Sequence, residues 1–149
     1  MIRMTVKKDA KEIARLTQKY FGNDYKPFRF TKKIIEEKMS QKKNKFFVAT
    51  ENKKIIGVLR TEIEDIDLAN LRWLAVDEKF QKRDVGKDLT AHALEFLRRQ
   101  KFRKLIARVK ASNKAALSLF KSFGFKQEGY FKNHFRKGTD IVQLSKFLL

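Results

Sequence analysis

The most informative part of the chain reads AVDEKFQKRDVGKDLTAHALEFL at residues 75–97, KFRKLIARVKASN at 101–113 and KAALSLFKSFGF at 114–125. Its pattern predicts, in order, an apolar strand, a basic loop with one glycine, a helix, a second strand, a polar break and a short helix. Two strand-to-helix units in succession place two helix N-termini on the same side of a sheet. Because a helix N-terminus attracts anions, this order predicts a cleft that suits a phosphate-bearing ligand.

The loop of the first unit is basic. The strand Leu71–Val76 leads through residues 81–87 into a helix, and the loop carries Lys82, Arg83 and Lys87. The free N–H groups and the partial positive charge at a helix start attract an anion, and the three side chains add to that charge. A basic turn without a ligand is the alternative interpretation, because one glycine in such a loop is a weak signal.

The second unit strengthens the prediction of a cleft. Residues 105–109 alternate as a strand does, and Ser112 or Asn113 can cap the helix that follows. Gly124 suits the left-handed residue that ends such a helix. The two units together therefore indicate a binding site rather than a plain surface.

Both units carry motifs of a known family. Residues 81–86, QKRDVG, match the pattern Q/R-x-x-G-x-G/A with Asp84 in place of the first glycine, and residues 111–125 match A-S-N-x-x-A-x-x-L-Y/F-x-x-x-G-F. By these motifs the chain resembles the GNAT superfamily of N-acetyltransferases over nearly its whole length. Residues 111–113, ASN, and the tail 129–135, GYFKNHF, look like the branches that acetylate protein N-termini, ribosomal proteins or amino sugars.

The resemblance implies a fold and an activity. The fold would be one α/β (α+β) domain over residues 1–149, with a mixed, mostly antiparallel sheet of about seven strands, about four helices and splayed central parallel strands. The activity would be transfer of an acetyl group from acetyl-CoA to a primary amine on a protein N-terminus, ribosomal protein, amino sugar or small amine. No metal is implied.

The resemblance also implies the site residues. The backbone amide of Val76 would polarise the thioester carbonyl, a role that needs a well-placed N–H rather than a special side chain. The expected cofactor-binding residues are Leu74, Ala75, Val76, Gln81, Lys82, Arg83, Asp84, Val85, Gly86, Lys87, Asn113 and Phe120.

Four positions depart from the family pattern. Asp84 places a carboxylate beside the expected pyrophosphate, although aspartate tolerates the left-handed backbone that a glycine supplies. Phe120 stands where relatives keep a general-acid tyrosine, and Asn70 and Arg108 stand where relatives keep a general-base glutamate. The resemblance therefore supports cofactor binding more strongly than one catalytic mechanism.

Three side chains are the remaining catalytic candidates. Glu62 and Glu64 belong to an acidic cluster with Asp65 and Asp67 that could supply a base or bind an amine, or could be a solvated turn. His134 lies in a predicted final hairpin, residues 130–135 with 141–146, and could contact substrate or be structural. A first hairpin is predicted at residues 46–49 and 55–59.

The formal net charge of +19 raises a second function. Charge is densest at residues 79–110, with 11 Lys and Arg against 3 Asp and Glu. Such a field steers anionic ligands and could hold RNA, so a basic CoA- or RNA-binding module with little turnover is the alternative to an enzyme. A specific RNA partner is less expected, because we find no run of exposed aromatics on a basic strand.

Composition sets the remaining limits. The chain has 149 residues, 42% of them apolar, and no cysteine, which excludes disulfides and thiolate chemistry. It has no apolar run long enough for a membrane span and no signal-peptide pattern at its start. We therefore expect a soluble cytoplasmic protein, as a monomer or homodimer.

Overall fold

The computed structural model describes residues 1–148, which form seven β-strands and four α-helices. The strands are β1 (Ile2–Met4), β2 (Asn44–Glu51), β3 (Lys54–Asp65), β4 (Leu68–Val76), β5 (Lys104–Lys110), β6 (Lys126–Arg136) and β7 (Thr139–Phe147). The helices are α1 (Ala10–Phe21), α2 (Lys32–Ser40), α3 (Val85–Arg99) and α4 (Lys114–Ser122). Short 3-10 turns occupy Lys7–Asp9 and Glu78–Phe80.

The strands form one mixed sheet in the order β1-β2-β3-β4-β5-β7-β6. Neighbouring strands are antiparallel except β4 and β5, which run parallel. This parallel pair is joined only between residues 68–71 and residues 104–107, so the two strands separate beyond that point. The predicted mixed, mostly antiparallel sheet with splayed central strands and four helices is confirmed.

Helices cover both faces of the sheet. Helices α3 and α4 contribute Leu89 and Phe120 to one buried cluster, and α1 and α2 contribute Leu16 and Ile35 to a second. Because side chains alternate along a strand, β2 and β3 each supply residues to both clusters. The two sides of the sheet are called the α3 face and the α1 face below.

A β-bulge in β4 interrupts this alternation where the strands begin to separate. Leu71 packs on the α3 face, whereas Trp73, two residues later, packs on the α1 face. The pairing of β4 with β3 shifts register at the same place. Trp73 has a φ of 54°, a conformation that is rare for a bulky residue. Bulges re-aim side chains beside functional sites, and this one lies at the mouth of the splay.

A buried arginine packs against the bulged tryptophan. The guanidinium of Arg60 lies 3.9 Å from the centre of the Trp73 ring, and the residue is only 2% exposed. Its Nη1 donates to Asn44 Oδ1 at 2.8 Å and to Glu62 Oε2 at 3.2 Å. Burial lowers the pKa of Arg60 to about 10, so the group is still charged at neutral pH. Its cation–π contact with the ring stabilises the bulge.

The start of α3 is packed closely onto β3 at Gly57. A β-carbon at this position would lie 3.0 Å from Leu89 Cδ1 and 3.1 Å from Val85 Cγ1. Both side chains are buried. We therefore expect Gly57→Ala to lower the free energy of unfolding by about 1–3 kcal/mol through overpacking. Urea denaturation measures the change, and an unchanged midpoint would show that α3 moves outward without cost.

Both predicted hairpins form, but Glu62, Glu64 and Asp65 of the acidic cluster lie in a strand, and only Asp67 lies in a turn. Strands β2 and β3 are joined through residues 52–53, and β6 and β7 through residues 137–138. The alternative interpretation of Glu62 and Glu64 as part of a solvated turn is wrong, because β3 continues through both of them to Asp65. The strand extends that far because it remains paired with β4.

Candidate active site

The loop after β4 leaves free hydrogen-bond donors at the start of α3. Asp84 has a φ of 60°, so it adopts the left-handed conformation that aspartate tolerates. Its carbonyl oxygen accepts a hydrogen bond from the N–H of Asp88 at 2.9 Å. In the part of the chain that the structure describes, the N–H groups of residues 84–87 have no partner. These four amides can therefore donate to an anion.

The side chains of this loop have different environments. Gln81 Nε2 donates to the carbonyl oxygen of Val76 at 3.0 Å, which ties the loop to the end of β4. Arg83 Nη1 lies 3.3 Å from Glu51 Oε2. Lys82 and Lys87 form no ion pair within residues 1–148. These two lysines are therefore the unpaired cations beside the free amides.

Gly86 lies on the side of α3 that faces the strand end. A β-carbon at Gly86 would lie 3.7 Å from Leu119 Cδ2, 3.7 Å from Val76 Cγ2 and 4.0 Å from Leu74 Cδ2. These are ordinary van der Waals distances, so the protein itself has room for a small side chain here. A requirement for glycine at this position would come from a ligand that approaches the backbone.

The end of β4 presents unpaired backbone groups to the gap between β4 and β5. Asp77 donates its N–H to the carbonyl oxygen of Ile56 at 2.8 Å, and Ala75 lies opposite Val58 on β3. Strand alternation then turns the backbone groups of Leu74 and Val76 away from β3. The parallel ladder with β5 has already ended at this point, so both N–H groups and the carbonyl of Leu74 are available to a ligand, whereas the carbonyl of Val76 accepts from Gln81 Nε2.

A cavity of about 340 Å³ opens where β4 and β5 separate. Its wall is formed by the two strands, the end of α1 and the residues after it, α4 with the residues before it, and the β6–β7 hairpin. Leu74, Asn113 and Phe120, which were predicted to bind the cofactor, all line it. The volume is at the small end of the range for ligand sites.

Asn113 and Phe120 belong to the start and the end of α4. Asn113 Oδ1 accepts a hydrogen bond from the N–H of Ala116 at 3.1 Å, so the predicted helix cap forms. Phe120 is 4% exposed and packs on Phe125 with 5.3 Å between ring centres. Its ring lines the cavity but carries no proton donor.

Glu62 lies outside the cavity lining in the described structure. Its carboxylate oxygens lie 3.2 Å from Arg60 Nη1 and 3.3 Å from Arg72 Nη1. Burial favours a higher pKa for Glu62, but these arginines and Lys43 together hold the pKa below its usual value. Glu62 therefore stays ionised at neutral pH, and this environment does not favour it as a base.

Glu64 and His134 also lie outside the lining of residues 1–148. Glu64 Oε2 accepts a hydrogen bond from Asn70 Nδ2 at 2.9 Å, and Asn70 does line the cavity. The ring of His134 lies 5.0 Å from that of Phe131 and 5.3 Å from that of Phe135, on an exposed part of β6. Catalytic roles for Glu62, Glu64 and His134 remain predictions.

The sequence analysis missed a cationic wall inside the cavity. Arg72 of β4 and Arg108 and Lys110 of β5 all line it. A signal existed for β5, since alternation along KLIARVK places Arg108 and Lys110 on the same face. The same alternation along β4, in which Ala69 and Leu71 pack on the α3 face, places Arg72 on the opposite face, just before the bulge at Trp73.

Strand β6 is basic and has exposed aromatic rings. Tyr130 is 48% exposed and Phe135 is 45% exposed, and the strand also carries Lys132 and Arg136. Two aromatic rings are thus exposed on a basic strand, but they lie five positions apart rather than in a run. The order of residues along β6 does not reveal that both faces of this edge strand are exposed to solvent. Whether RNA is a partner remains a prediction.

The structure of residues 1–148 contains neither a group of metal-ligating side chains nor a helix that could span a membrane. Within residues 1–148, no three Asp, Glu or His side chains are grouped so that they could hold a metal ion. No helix in this range is both long and apolar enough to cross a membrane.

The sequence pattern of the Acetyltransferase (GNAT) family matches residues 10–125. The chain belongs to the GNAT acetyltransferase family. The match runs from the start of α1 through the end of α4, so it includes the strand-loop-helix unit and the cavity wall formed by β4, β5 and α4. The family resemblance of the two motifs is thus confirmed.

One curated relative of this GNAT protein is the [ribosomal protein bS18]-alanine N-acetyltransferase of Escherichia coli (strain K12). It is 32% identical over 89 residues, which cover 60% of each chain. The aligned part of this chain therefore spans 60% of the length of that relative.

Solved structures of GNAT proteins share the fold. The crystal structure of the ribosomal-protein-S18-alanine N-acetyltransferase from Escherichia coli superposes with a TM-score of 0.84 at 22% identity, over 99% of this chain and 93% of that chain. Salmonella typhimurium yncA, solved with its cofactor acetyl-CoA, superposes with a TM-score of 0.87 at 16% identity, over 100% and 94%. At such identities the likeness shows the fold alone.

Proposed function

We propose that this GNAT protein transfers an acetyl group from acetyl-CoA to a primary amine. The observation that carries the proposal is one continuous row of free backbone donors. It begins at Leu74 and Val76 on the open edge of β4 and continues at residues 84–87 at the start of α3. Leu74, at the start of this row, lines the cavity in which an amine could meet a thioester.

The residues of this row fit the chemistry of acetyl-CoA. The amides of residues 84–87, with Lys82 and Lys87, are suited to a pyrophosphate because they combine free donors with positive charge. The backbone groups of Leu74 and Val76 are suited to the amide groups of the cofactor's arm. When bound, acetyl-CoA supplies an acetyl group activated as a thioester.

The transfer needs a neutral amine close to the thioester more than it needs a strong acid. The amine nitrogen bonds to the carbonyl carbon, the C–S bond breaks, and the proton lost by nitrogen passes to the thiolate or to water. The free N–H of Val76 would stabilise the charge that develops on the carbonyl oxygen. Phe120 offers no proton, so water or the substrate protonates the leaving group.

A two-part experiment tests this proposal. Acetyl-CoA should raise the melting temperature of the protein, because a ligand that binds only the folded state stabilises it. A panel of amines is then screened for release of free thiol. A thermal shift with no thiol release from any amine would favour the alternative of a binding module without turnover. Absence of both responses would reject the cofactor site itself.

Asp84→Asn tests the electrostatics of the loop. Asparagine also tolerates the left-handed backbone of this position, and no hydrogen bond of the Asp84 side chain to the helix start would be lost. Removing the carboxylate should raise the affinity for acetyl-CoA by about fivefold, since a unit charge at 4 Å in water contributes roughly 1 kcal/mol. Calorimetry should show that the gain shrinks at high salt. A loss of affinity would mean that the carboxylate helps to bind the cofactor.

A further inference from the structure

We infer that the amine acceptor is a small molecule that itself carries a carboxylate, held by Arg72, Arg108 and Lys110. The inference rests on the proposed function and names the substrate class of the same cavity. An α-amino acid or a close analogue of one has this chemistry, since its amine and its carboxylate lie within one small molecule.

The first observation is the face on which the three cations lie. On β5, Leu105, Ala107 and Val109 pack in the cluster of the α3 face, so alternation places Arg108 and Lys110 on the α1 face. The free amides at the start of α3 lie on the other side of the sheet. The cations that line the cavity therefore do not serve the pyrophosphate site.

The second observation is the charge balance of the cavity. Arg72, Arg108 and Lys110 contribute three positive charges, and Asp24, the acidic residue of the described lining, contributes one negative charge, which leaves +3 − 1 = +2. Asp24 is already paired, since Lys110 Nζ lies 2.9 Å from its Oδ1. This excess of positive charge favours the binding of an anion in the cavity.

The partners of the two arginines leave donors unused. Arg108 Nε donates to the neutral Gln143 Oε1 at 2.9 Å, and Arg108 has no carboxylate partner within residues 1–148. Arg72 Nη1 contacts Glu62, but Glu62 also faces Arg60 and Lys43. The other guanidinium nitrogens can form the paired hydrogen bonds that a planar carboxylate accepts.

The third observation limits the size of the acceptor. Arg136 Nη2, near the tip of the β6–β7 hairpin, donates to the carbonyl oxygen of Lys26 at 3.3 Å. The rings of Tyr25 and Phe135 also meet across this gap, with 6.1 Å between their centres. These contacts join the hairpin to the segment between α1 and α2, so one side of the cavity is covered. With a volume of about 340 Å³, the space suits a small molecule better than an extended chain.

A cationic wall also affects the attacking amine. Positive charge nearby disfavours the ammonium form, so it lowers the pKa of an amine bound there. Asn70 and Arg108 occupy the two positions where relatives keep a general-base glutamate. In place of such a base, the positive charge of the wall favours the neutral, reactive form of the amine. The same three side chains would thus bind the carboxylate of the acceptor and lower the pKa of its amine.

Matched acceptors test the inference. Each common α-amino acid is compared with its own carboxamide, which has the same side chain and lacks the negative charge. The carboxamide has the more weakly basic amine and would react faster without recognition of the carboxylate. We expect kcat/KM, measured as thiol release, to favour at least one amino acid over its carboxamide by at least about tenfold, the effect of one charge-assisted contact.

A variant of the cationic wall and a control variant elsewhere test which residue recognises the carboxylate. Arg108→Gln should lower kcat/KM for the amino acid by about tenfold more than for its carboxamide, mainly through KM, because the carboxamide loses only the effect of this charge on its amine. Arg98→Gln is the control, since Arg98 is an exposed arginine paired with Glu95 on α3 and should alter neither. Equal use of both acceptor forms, or a variant that affects both equally, would overturn the inference.

Direct binding separates this inference from the proposed function. Calorimetry of the amino acids against the protein alone and against its CoA complex does not depend on turnover. Amino acid binding that Arg108→Gln abolishes supports the carboxylate site even where acetyl-CoA fails to bind, which would reject only the proposed function. Binding of acetyl-CoA without binding or acetylation of any amino acid would overturn the inference and leave the cofactor site intact.

Discussion

Gly86→Val should lower the affinity of the protein for acetyl-CoA by more than about tenfold while the fold remains intact. The valine side chain would project between α3 and the end of β4, toward Val76 and Leu119. This is the place where the proposed pyrophosphate site meets the open strand edge. The branched side chain would fill the space that the ligand needs. Calorimetric titration with acetyl-CoA measures the loss.

Gly86→Ala is the matched control for this experiment. A single β-carbon meets its neighbours at 3.7–4.0 Å, so alanine should leave the melting temperature nearly unchanged and reduce the affinity less than valine does. The far-ultraviolet circular dichroism of both variants should match that of the parent. A folded Gly86→Val protein with unchanged affinity would mean that the pyrophosphate lies elsewhere.

Phe120→Tyr should raise kcat for acetyl transfer by up to about a hundredfold, the size of a general-acid effect when protonation of the leaving group limits the rate. Phe120 lines the cavity at the position where relatives keep a tyrosine. The new hydroxyl would offer the departing thiolate a proton that the parent protein takes from water or substrate. Thiol release on a confirmed acceptor measures the gain.

Phe125→Tyr is the control for the added hydroxyl. Phe125 is 2% exposed and packs against Phe120, but it is not part of the described cavity lining. It should lose stability by about 1–3 kcal/mol because its hydroxyl is buried without a partner, with no gain in kcat. A folded Phe120→Tyr protein that binds acetyl-CoA without a faster rate would show that water already protonates the thiolate efficiently.

The local geometry of the proposed cofactor site could be predicted from the sequence because its signals are local. A strand that ends in a basic loop and a helix start with one glycine are read from neighbouring residues, and Asp84 takes the left-handed backbone that its type tolerates. The same holds for Asn113, which caps α4 as expected. These features depend little on the rest of the chain.

The acceptor side could not be predicted because it depends on long-range packing. No glycine in the sequence marks the bulge at Trp73. Arg60, which packs on the Trp73 ring, lies on the neighbouring strand β3. The bulge keeps Arg72 and Trp73 on one face of the sheet, against the usual alternation. It changes the face of Trp73 and of the residues after it, whereas Arg72 lies before it and takes its face by alternation from Leu71. The extension of β3 through Glu62 likewise depends on pairing with β4.

Calorimetric titration of the protein with acetyl-CoA at low and high salt is the most direct test of the cofactor site. We expect measurable binding at low salt and weaker binding as salt rises, because the contribution of Lys82 and Lys87 is Coulombic and is screened. The hydrogen bonds from the backbone should persist, so some affinity should remain at high salt. Absence of binding at low salt would contradict the assignment of the β4 edge and the start of α3 as an acetyl-CoA site.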